Sequence, residues 1–203
     1  MRPKITAKQV RREGINLSGT DKMERILAKK PYPPGEHGQG RRRRMTDYGI
    51  QLREKQRAKL IFGVSERQFR NYFESAKKAK GDTAARLVNL LESRLDNAIY
   101  RAGFAKTRAA ARQLVSHANF EQNGKKANIP SMQIKPGDII SVRESKSSNK
   151  YWQDLRANPL NTQIPSWLAA DLKSLSIKIT SEPTIEELKQ PFDPRLIVEF
   201  YSR

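Results

Sequence analysis

Arginine and lysine side chains are grouped in three basic clusters along this sequence, and cations of this kind bind anions such as phosphate. The first, the module cluster, spans two predicted helices and a predicted hairpin. Its members are Arg94, Arg101, Lys106, Thr107, Arg108, Arg112, Gln113, His117, Asn123, Lys125 and Lys126. Arg94 and Arg101 are two helical turns apart, and Arg108 and Arg112 are one turn apart. This spacing predicts one cationic face, to which the N-terminus of the second helix adds partial positive charge.

The other two clusters lie nearer the N-terminus. The helix cluster contains Tyr48, Gln51, Arg53, Lys55, Arg57, Lys59, Arg67 and Arg70. Its basic residues recur three or four positions apart on predicted helices, and Tyr48 and Gln51 add groups that hydrogen-bond or stack. The third cluster is the uninterrupted run of Arg41, Arg42, Arg43 and Arg44. Such a run alone is also typical of solubilising or nuclear-import segments, but two further clusters on the same chain favour nucleic-acid binding.

The total charge supports the same interpretation. The 203 residues include 40 Lys plus Arg and 21 Asp plus Glu, a formal net charge of +19. Charge of this size indicates a polyanionic partner, either nucleic acid or an acidic membrane surface. The excess is +9 over residues 1–44, +5 over 45–91, +4 over 92–145 and +1 over 146–203. A charged helix face is usually only solvated, but acidic neighbours are few here, so we expect a binding surface of one sign.

Combinations of residues that support catalysis or metal binding are not found in the sequence. The absence of cysteine excludes disulfides, thiolate metal sites and a cysteine nucleophile. His37 and His117 have no second histidine at ligand spacing, and no glycine-rich loop has the P-loop or Rossmann pattern. No apolar run approaches the ~20 residues of a membrane helix, and the N-terminus shows no secretory signal. We expect no catalytic residue, no metal, no cofactor, no small-molecule substrate and no membrane partner.

Three helices are predicted in the centre of the chain. Ser65–Gln68 is a capping box that begins the first helix. The second is expected from Asp82 to Gly103, with a leucine stripe on one face. The third begins at Thr107 and ends near His117. The arginines of the module cluster are therefore expected on the outer faces of the second and third helices.

Short strands and turns are predicted beyond the third helix. Asn123-Gly124 is a strong signal for a tight hairpin, and Lys135–Asp138 forms a second turn before another strand. Residues 145–150 have the composition of a linker. A helix is predicted over Trp167–Leu175, followed by an extended segment at Ile177–Thr180.

The two ends of the chain are expected to differ. Residues 1–44 lack a sustained hydrophobic period, which predicts a basic extension that orders on its partner, with one short helix near Asp21–Lys29. Near the other end, Thr184–Glu187 is a second capping box. Asp193-Pro194 predicts the start of a last helix, although the β-branched pair Ile197-Val198 leaves a strand as the alternative.

Several of these stretches closely resemble the RNA-binding module named after small-subunit ribosomal protein S-four, which also occurs in pseudouridine synthases and tyrosyl-tRNA synthetases. The matching stretches are Ser93–Asn97, Arg101–Phe104, Thr107–His117, Asn123-Gly124, Ile129–Ser131 and Gly137-Asp138. Further stretches narrow the resemblance to the bacterial S-four ribosomal protein family. They are Arg11–Gly14, Pro34–Gly38, Asp47–Gln56, Glu66–Tyr72 and Leu196–Ser202.

The resemblance implies an α+β fold. A helical domain holds a small inserted α/β RNA-binding module of two helices and antiparallel hairpins, and an extended basic arm precedes both. The expected boundaries are 1–44 for the arm, 45–91 with about 151–203 for the helical domain, and 92–150 for the module. Some family members carry zinc-binding cysteines in the N-terminal extension, and the lack of cysteine excludes that site here.

The resemblance also implies a function. It predicts a structural constituent of the small ribosomal subunit that binds a multi-helix junction of 16S-type rRNA early in assembly, with the three basic clusters in contact with that rRNA. It further implies a place beside ribosomal proteins S-three and S-five near the mRNA entry channel, with an effect on decoding accuracy. The implied location is cytoplasmic, in the small subunit, and the sequence does not exclude an organellar ribosome.

Two other functions are open to a sequence of this kind. An rRNA or tRNA modification enzyme, or another ribosome-associated factor, can use the same module, but an enzyme needs a catalytic domain of about 100 residues or more, and no segment is left to supply one. A basic membrane-surface protein needs an amphipathic helix with an exposed bulky apolar face. The leucine stripes of this chain are expected to be fully used in its core.

Overall fold

The computed structural model describes residues 5–40, 44–184 and 190–203, and these have the predicted α+β fold. The helices are α1 (Ala7–Glu13), α2 (Asp21–Lys29), α3 (Asp47–Phe62), α4 (Glu66–Lys78), α5 (Thr83–Glu92), α6 (Leu95–Arg101), α7 (Arg108–Ser116), α8 (Glu144–Ser147), α9 (Lys150–Ala157) and α10 (Pro194–Ser202), with a 3-10 turn at Glu36–Gln39. The strands are β1 (Phe120–Gln122), β2 (Lys125–Ala127), β3 (Ile139–Val142), β4 (Leu168–Asp171) and β5 (Ser176–Ile179).

The chain folds as two compact units. The helical unit consists of Met1–Leu87 and Gln190–Arg203, and the sheet unit consists of Val88–Lys189. The segment that contains α9, β4 and β5 therefore belongs to the sheet unit, whereas the expected boundaries assigned it to the helical domain. The physical reason is strand pairing, because β5 forms an antiparallel ladder with β3.

The helical unit is organised around α3 and α10, which pack against each other. Thr46 caps α3 by accepting a hydrogen bond from the backbone of Gly49 at 3.2 Å. Asp193 caps α10, and Pro194 occupies its first turn. The predicted terminal helix is thus confirmed, and the strand alternative is wrong. The ring of Tyr201 on α10 stacks on Phe73 of α4 at 4.7 Å between centroids, which fixes α4 to the same core.

The N-terminal extension has more structure than the sequence predicted. The short helix near Asp21–Lys29 is confirmed as α2. The extension also contains α1, which was not predicted, and Val10 and Leu17 are buried. Thr6 closes a capping box on α1. Residues 1–4 and 41–43 lie outside the described residues.

The sheet unit is built on a five-stranded antiparallel sheet with the order β2-β1-β3-β5-β4. The Asn123-Gly124 hairpin is confirmed, with both residues at positive φ as a type I′ turn requires. Phe120 from β1 packs at 5.6 Å between centroids against Trp152 of α9, and Phe104 joins them. Residues 145–150, expected to be a linker, instead contain most of α8 and the first residue of α9. Helix α9 carries Trp152 into this core.

The long helix expected from Asp82 to Gly103 is two helices. α5 ends at Glu92 and α6 begins at Leu95, and Arg94 between them has an extended backbone. Arg94 forms a β-bridge with Gln133, and the Leu95 N–H donates to the carbonyl of Met132 at 2.9 Å. Pairing with a segment almost forty residues further along the chain overrides the helical pattern at this point.

The predicted helix over Trp167–Leu175 is also wrong. This segment forms β4 and the turn that leads to β5, while the extended Ile177–Thr180 is confirmed as part of β5. A short apolar run of this length fits a buried strand as well as a helix, and pairing between strands decides the outcome. The predicted capping box at Thr184–Glu187 falls largely on residues 185–189, which lie outside the described residues.

The core of the sheet unit gives a direct stability test. Leu95 at the start of α6 is fully buried in this core, so Leu95→Ala should lower the free energy of unfolding by roughly 2–5 kcal/mol through lost burial and a residual cavity. Urea unfolding measures the change, and Leu114→Ala, at a partly buried position packed on the same core, should cost less. A loss below about 0.5 kcal/mol for Leu95→Ala would show that this site is not the packed core described here.

Candidate nucleic-acid interface

Asp96 holds two arginines of the module cluster in place. Its carboxylate accepts hydrogen bonds from Nε and Nη2 of Arg94 at 3.0 and 2.9 Å, and from Nη2 of Arg112 at 2.8 Å. Asp96 lies in the first turn of α6, so both arginines are attached to the start of that helix. The extended backbone at Arg94 points its side chain back onto Asp96 rather than outward along a helix face.

Glu92, the last residue of α5, holds two further arginines of the module cluster, one directly and one through Asn97. Arg101 binds it in a bidentate pair, with Nε and Nη2 at 3.1 and 2.8 Å from the two carboxylate oxygens. The Asn97 amide nitrogen donates to the same carboxylate at 2.5 Å. The Asn97 amide oxygen accepts from Nε of Arg108 at 2.8 Å, and the Arg108 guanidinium lies over the ring of Tyr100 at 4.5 Å. Arg108 is thus linked to Glu92 through one amide group.

These contacts define two neighbouring groups of charges, together called the arginine network, that are built from both buried and partly exposed side chains. Asp96 holds one group, and Glu92 with Asn97 holds the other. The network consists of Glu92, Arg94, Asp96, Asn97, Arg101, Arg108 and Arg112. Arg101, Arg108 and Arg112 are its partly exposed cations, and guanidinium groups at the accessible side of the network attract an anion.

The pKa values of the network reflect burial and the Glu92 charge. Burial alone would lower the pKa of Arg101, but the hydrogen bond and charge of Glu92 raise it above the usual value. Burial lowers the pKa of Arg108, and the charge of Glu92 opposes this shift only in part. Arginine is protonated far above neutral pH, so both side chains stay charged under physiological conditions.

The predicted cationic face is only partly correct for the arginines. Arg94 is 1% exposed and cannot contact RNA directly from this position, because the helix break turns it inward. The side chains of Arg101 and Arg112 are 26% and 12% exposed, and Arg108 is half-buried. Thr107 caps α7 through the backbone N–H of Ala110, as predicted. The exposed members of the cluster are Lys106, Gln113, His117, Asn123, Lys125 and Lys126.

The hairpin tip presents its two lysines to solvent on a rigid turn. The Asn123 side chain does not reach outward, because it donates to Asp138 at 2.7 Å and accepts from the backbone N–H of Ile139 at 2.9 Å. Lys125 and Lys126 line a cavity of about 270 Å³ together with Met132. The Met132 carbonyl accepts a hydrogen bond from the backbone N–H of Leu95, the first residue of α6.

The helix cluster is largely used inside the helical unit, which corrects its predicted role. Arg53 and Arg57 each place Nε 2.8 Å from the Glu13 carboxylate. They thereby tie α1 to α3, a contact the sequence did not predict. Gln51 is buried and donates to Glu199 at 2.9 Å.

Lys55 is also buried, over the Phe200 ring at 4.3 Å. Its Nζ lies 2.8 Å from one carboxylate oxygen of Glu66, and Nζ of Lys59 lies 2.6 Å from the other. Among the predicted members, Arg67, Arg70 and Tyr48 are exposed. These three are the exposed members of the helix cluster, while the paired side chains of Arg53 and Arg57 keep 24% and 18% of their surface.

The third cluster is described in part. Arg44 is exposed, and Arg41, Arg42 and Arg43 lie outside the described residues. Among the residues that are described, no group of three or more His, Asp or Glu side chains is placed to hold a metal ion. No helix in the same part of the chain is long and apolar enough to span a membrane.

Acidic and amide residues are what sequence reasoning missed. Glu13, Glu92, Asp96 and Asn97 position the basic side chains in both units. The only available signal was their occurrence inside basic stretches, for instance the four-residue spacing of Glu92 and Asp96. That signal does not separate a positioning carboxylate from a solvated one.

Comparison with known proteins identifies the type of protein. The family model described as "Ribosomal protein S4/S9 N-terminal domain" matches residues 3–92, and the S4 domain model matches residues 93–140. The fold and the basic network thus belong to an RNA-binding protein built around an S4 domain.

Individual relatives define the family. Small ribosomal subunit protein uS4 of Roseiflexus sp. (strain RS-1) is 48% identical over 196 residues, which cover 95% of this chain and 94% of that protein. The uS4 proteins of Caldicellulosiruptor saccharolyticus (46% over 199 residues, 95% and 94% covered) and Syntrophomonas wolfei subsp. wolfei (45% over 202 residues, 97% and 96% covered) are similar to nearly the same extent. This chain belongs to the uS4 family of small ribosomal subunit proteins. It is therefore a structural ribosomal protein, not an enzyme, and the resemblance inferred from the sequence is confirmed.

Glu66 offers a test of the ion pairs in the helical unit. Burial would raise its pKa, but hydrogen bonds from Lys55, Lys59 and Tyr201 lower it from 4.5 to about 2. A carboxylate with a depressed pKa stabilises the fold fully above its unfolded pKa, and this contribution is lost as the pH falls through the folded pKa. Glu66→Gln should therefore lower the Tm at pH 5–7, and the difference from the parent should vanish towards pH 2.

Thermal unfolding followed by circular dichroism from pH 2 to pH 7 measures this dependence. Glu74→Gln is the matched control, since Glu74 is an exposed acid on the same helix. It should leave the Tm almost unchanged at every pH. A Glu66→Gln effect that is constant with pH would show that Glu66 acts through packing rather than charge.

Proposed function

We propose that this chain binds small-subunit rRNA through the sheet unit, at a junction where several RNA helices meet, early in subunit assembly. The observation that carries the proposal is the arginine network, in which Arg101, Arg108 and Arg112 are partly exposed and individually anchored. Exposed Lys106 at the start of α7 and the hairpin lysines extend this cationic surface.

The mechanism requires only electrostatics and shape. Basic side chains that neutralise phosphates release condensed counterions and supply affinity, and the phosphate contacts fix the orientation of the protein. Folded RNA is recognised largely through shape, phosphates and 2′-hydroxyl groups. Anchored arginines suit such a target because their separations are set before binding, so only RNA with phosphates at matching positions meets all of them.

The helical unit supplies a further contact region. Arg44, Arg67 and Arg70 are exposed there, and exposed Tyr48 can stack on a base. The paired members of the helix cluster contribute indirectly, because Arg53 and Arg57 hold α1 on α3 and Lys55 holds α4 on α3. Gln51 and Lys55 therefore act from inside the unit rather than as direct rRNA contacts, and the same holds for buried Arg94 in the sheet unit.

The finer placement rests on the resemblance to the uS4 family. We propose that the chain lies near the mRNA entry channel beside ribosomal proteins S-three and S-five, that it affects decoding accuracy, and that it acts in the cytoplasm. The strong positive charge supports contact with rRNA over much of the N-terminal three quarters. The last quarter has a net charge of only +1, and this near-neutral segment suits protein neighbours better than RNA.

The hairpin lysines allow a test that leaves the internal ion pairs intact. Lys125→Gln with Lys126→Gln should weaken binding to small-subunit rRNA, because both side chains are exposed and the described contacts include no ion pair for either. The plot of log affinity against log salt should become shallower by roughly 0.7–0.9 for each phosphate that the variant no longer neutralises. Filter binding over a range of salt concentrations measures the slope.

The matched control removes the same charge elsewhere in the sheet unit. Lys150 and Lys173 are also exposed, and Lys150→Gln with Lys173→Gln should alter the slope much less. If both double variants change the slope equally, binding depends on net charge rather than on this surface. A parent protein whose affinity does not depend on salt would contradict phosphate binding altogether.

A further inference from the structure

The acids of the arginine network are hidden from any ligand that its arginines can reach. Glu92 is 0% exposed, Asn97 is 1% exposed and Asp96 is 4% exposed. The side chains of Arg101 and Arg112 keep 26% and 12% of their surface. The network therefore has a buried acidic and amide side and an accessible cationic side, and only the second can touch RNA.

Stability alone does not account for this arrangement. A buried ion-pair network is often no more stabilising than apolar side chains of similar volume, because desolvation of the charges offsets their attraction. Here the buried carboxylates instead orient arginines whose side chains reach the surface, since Glu92 holds Arg101 and Asp96 holds Arg112. Such an arrangement suits cations that are held ready for an external anion.

Each accessible arginine is held by a different buried group. The bidentate contact with Glu92 sets the plane of Arg101, and Asn97 together with the Tyr100 ring sets the plane of Arg108. Asp96 fixes Arg112 at 2.8 Å. A free arginine loses side-chain entropy when it is ordered, and the buried anchors remove most of that cost from the binding step.

We infer that Glu92, Asp96 and Asn97 are positioning residues for RNA binding, which hold the arginines in the arrangement that the phosphates of the rRNA require. The inference rests on the proposed function and deepens it. It predicts an unusual effect on RNA affinity when an acidic residue is neutralised. Removal of a negative charge from a protein that binds a polyanion ordinarily strengthens binding, whereas neutralising Glu92 should weaken it.

The test compares two substitutions that each raise the net charge by one. Glu92→Gln should weaken binding to small-subunit rRNA by about tenfold or more, the scale seen when partners that orient a ligating group are removed. Asp154→Asn is the matched control, because Asp154 is an exposed acid of the same unit. It should leave the affinity unchanged or slightly increase it. Equal or tighter binding by Glu92→Gln would overturn the inference.

A second variant separates positioning from stability and charge. Asn97→Ala changes no charge and removes no RNA-accessible atom, but it cuts the link between Glu92 and Arg108. Affinities are corrected for the folded fraction, and the salt dependence of binding is recorded for each variant. If Asn97 positions Arg108, the folded Asn97→Ala protein should bind rRNA more weakly than the parent. Its plot of log affinity against log salt should also be shallower. If the loss of affinity is explained by the folded fraction alone, and the salt dependence equals that of the parent, Asn97 has only a structural role. That result would overturn the inference.

NMR of the free protein gives an independent readout. The Nε–H signals of Arg101 and Arg108 should be sharp and protected from exchange in the parent, since both groups donate within the network at 3.1 and 2.8 Å. Glu92→Gln should broaden the Arg101 signal, and Asn97→Ala the Arg108 signal. Unchanged signals would overturn the inference. A parent protein that fails to bind rRNA would instead contradict the proposed function, so the two failures are distinguishable.

Discussion

The bidentate pair between Glu92 and Arg101 is the interaction on which the geometry of the arginine network depends. Glu92 ends α5 and Arg101 ends α6, so the pair closes the corner that the helix break creates. The same carboxylate reaches Arg108 through Asn97. One buried charge thereby orients two cations on different helices, and the cations are held before any RNA is present.

In the helical unit, too, acidic side chains hold basic side chains in place. Glu13 joins Arg53 and Arg57, and Glu66 joins two lysines. The chain has 40 basic and 21 acidic side chains, so internal pairing still leaves a large positive excess for an external polyanion. Composition was sufficient to predict that partner. It could not predict which cations are internal, because that depends on where each acid lies in the fold.

Local signals predicted local structure well. Thr107 begins α7 and Asn123-Gly124 forms the hairpin turn, since each depends on residues within one turn of the chain. The errors occurred where distant pairing decides the conformation. Arg94 leaves the helix because it pairs with Gln133, and Trp167–Leu175 is extended because β4 and β5 join a sheet. The inward turn of Arg94 shows how one such error moved a residue from the predicted RNA surface into the core.

Hydroxyl-radical footprinting of small-subunit rRNA with the purified protein tests the central claim most directly. A protein whose cations are held at fixed separations should protect short backbone segments from several RNA helices that converge on one junction. These segments should appear together as the protein concentration rises. Weak protection spread along the whole RNA would instead indicate binding by net charge, and protection confined to a single helix would contradict recognition of a junction.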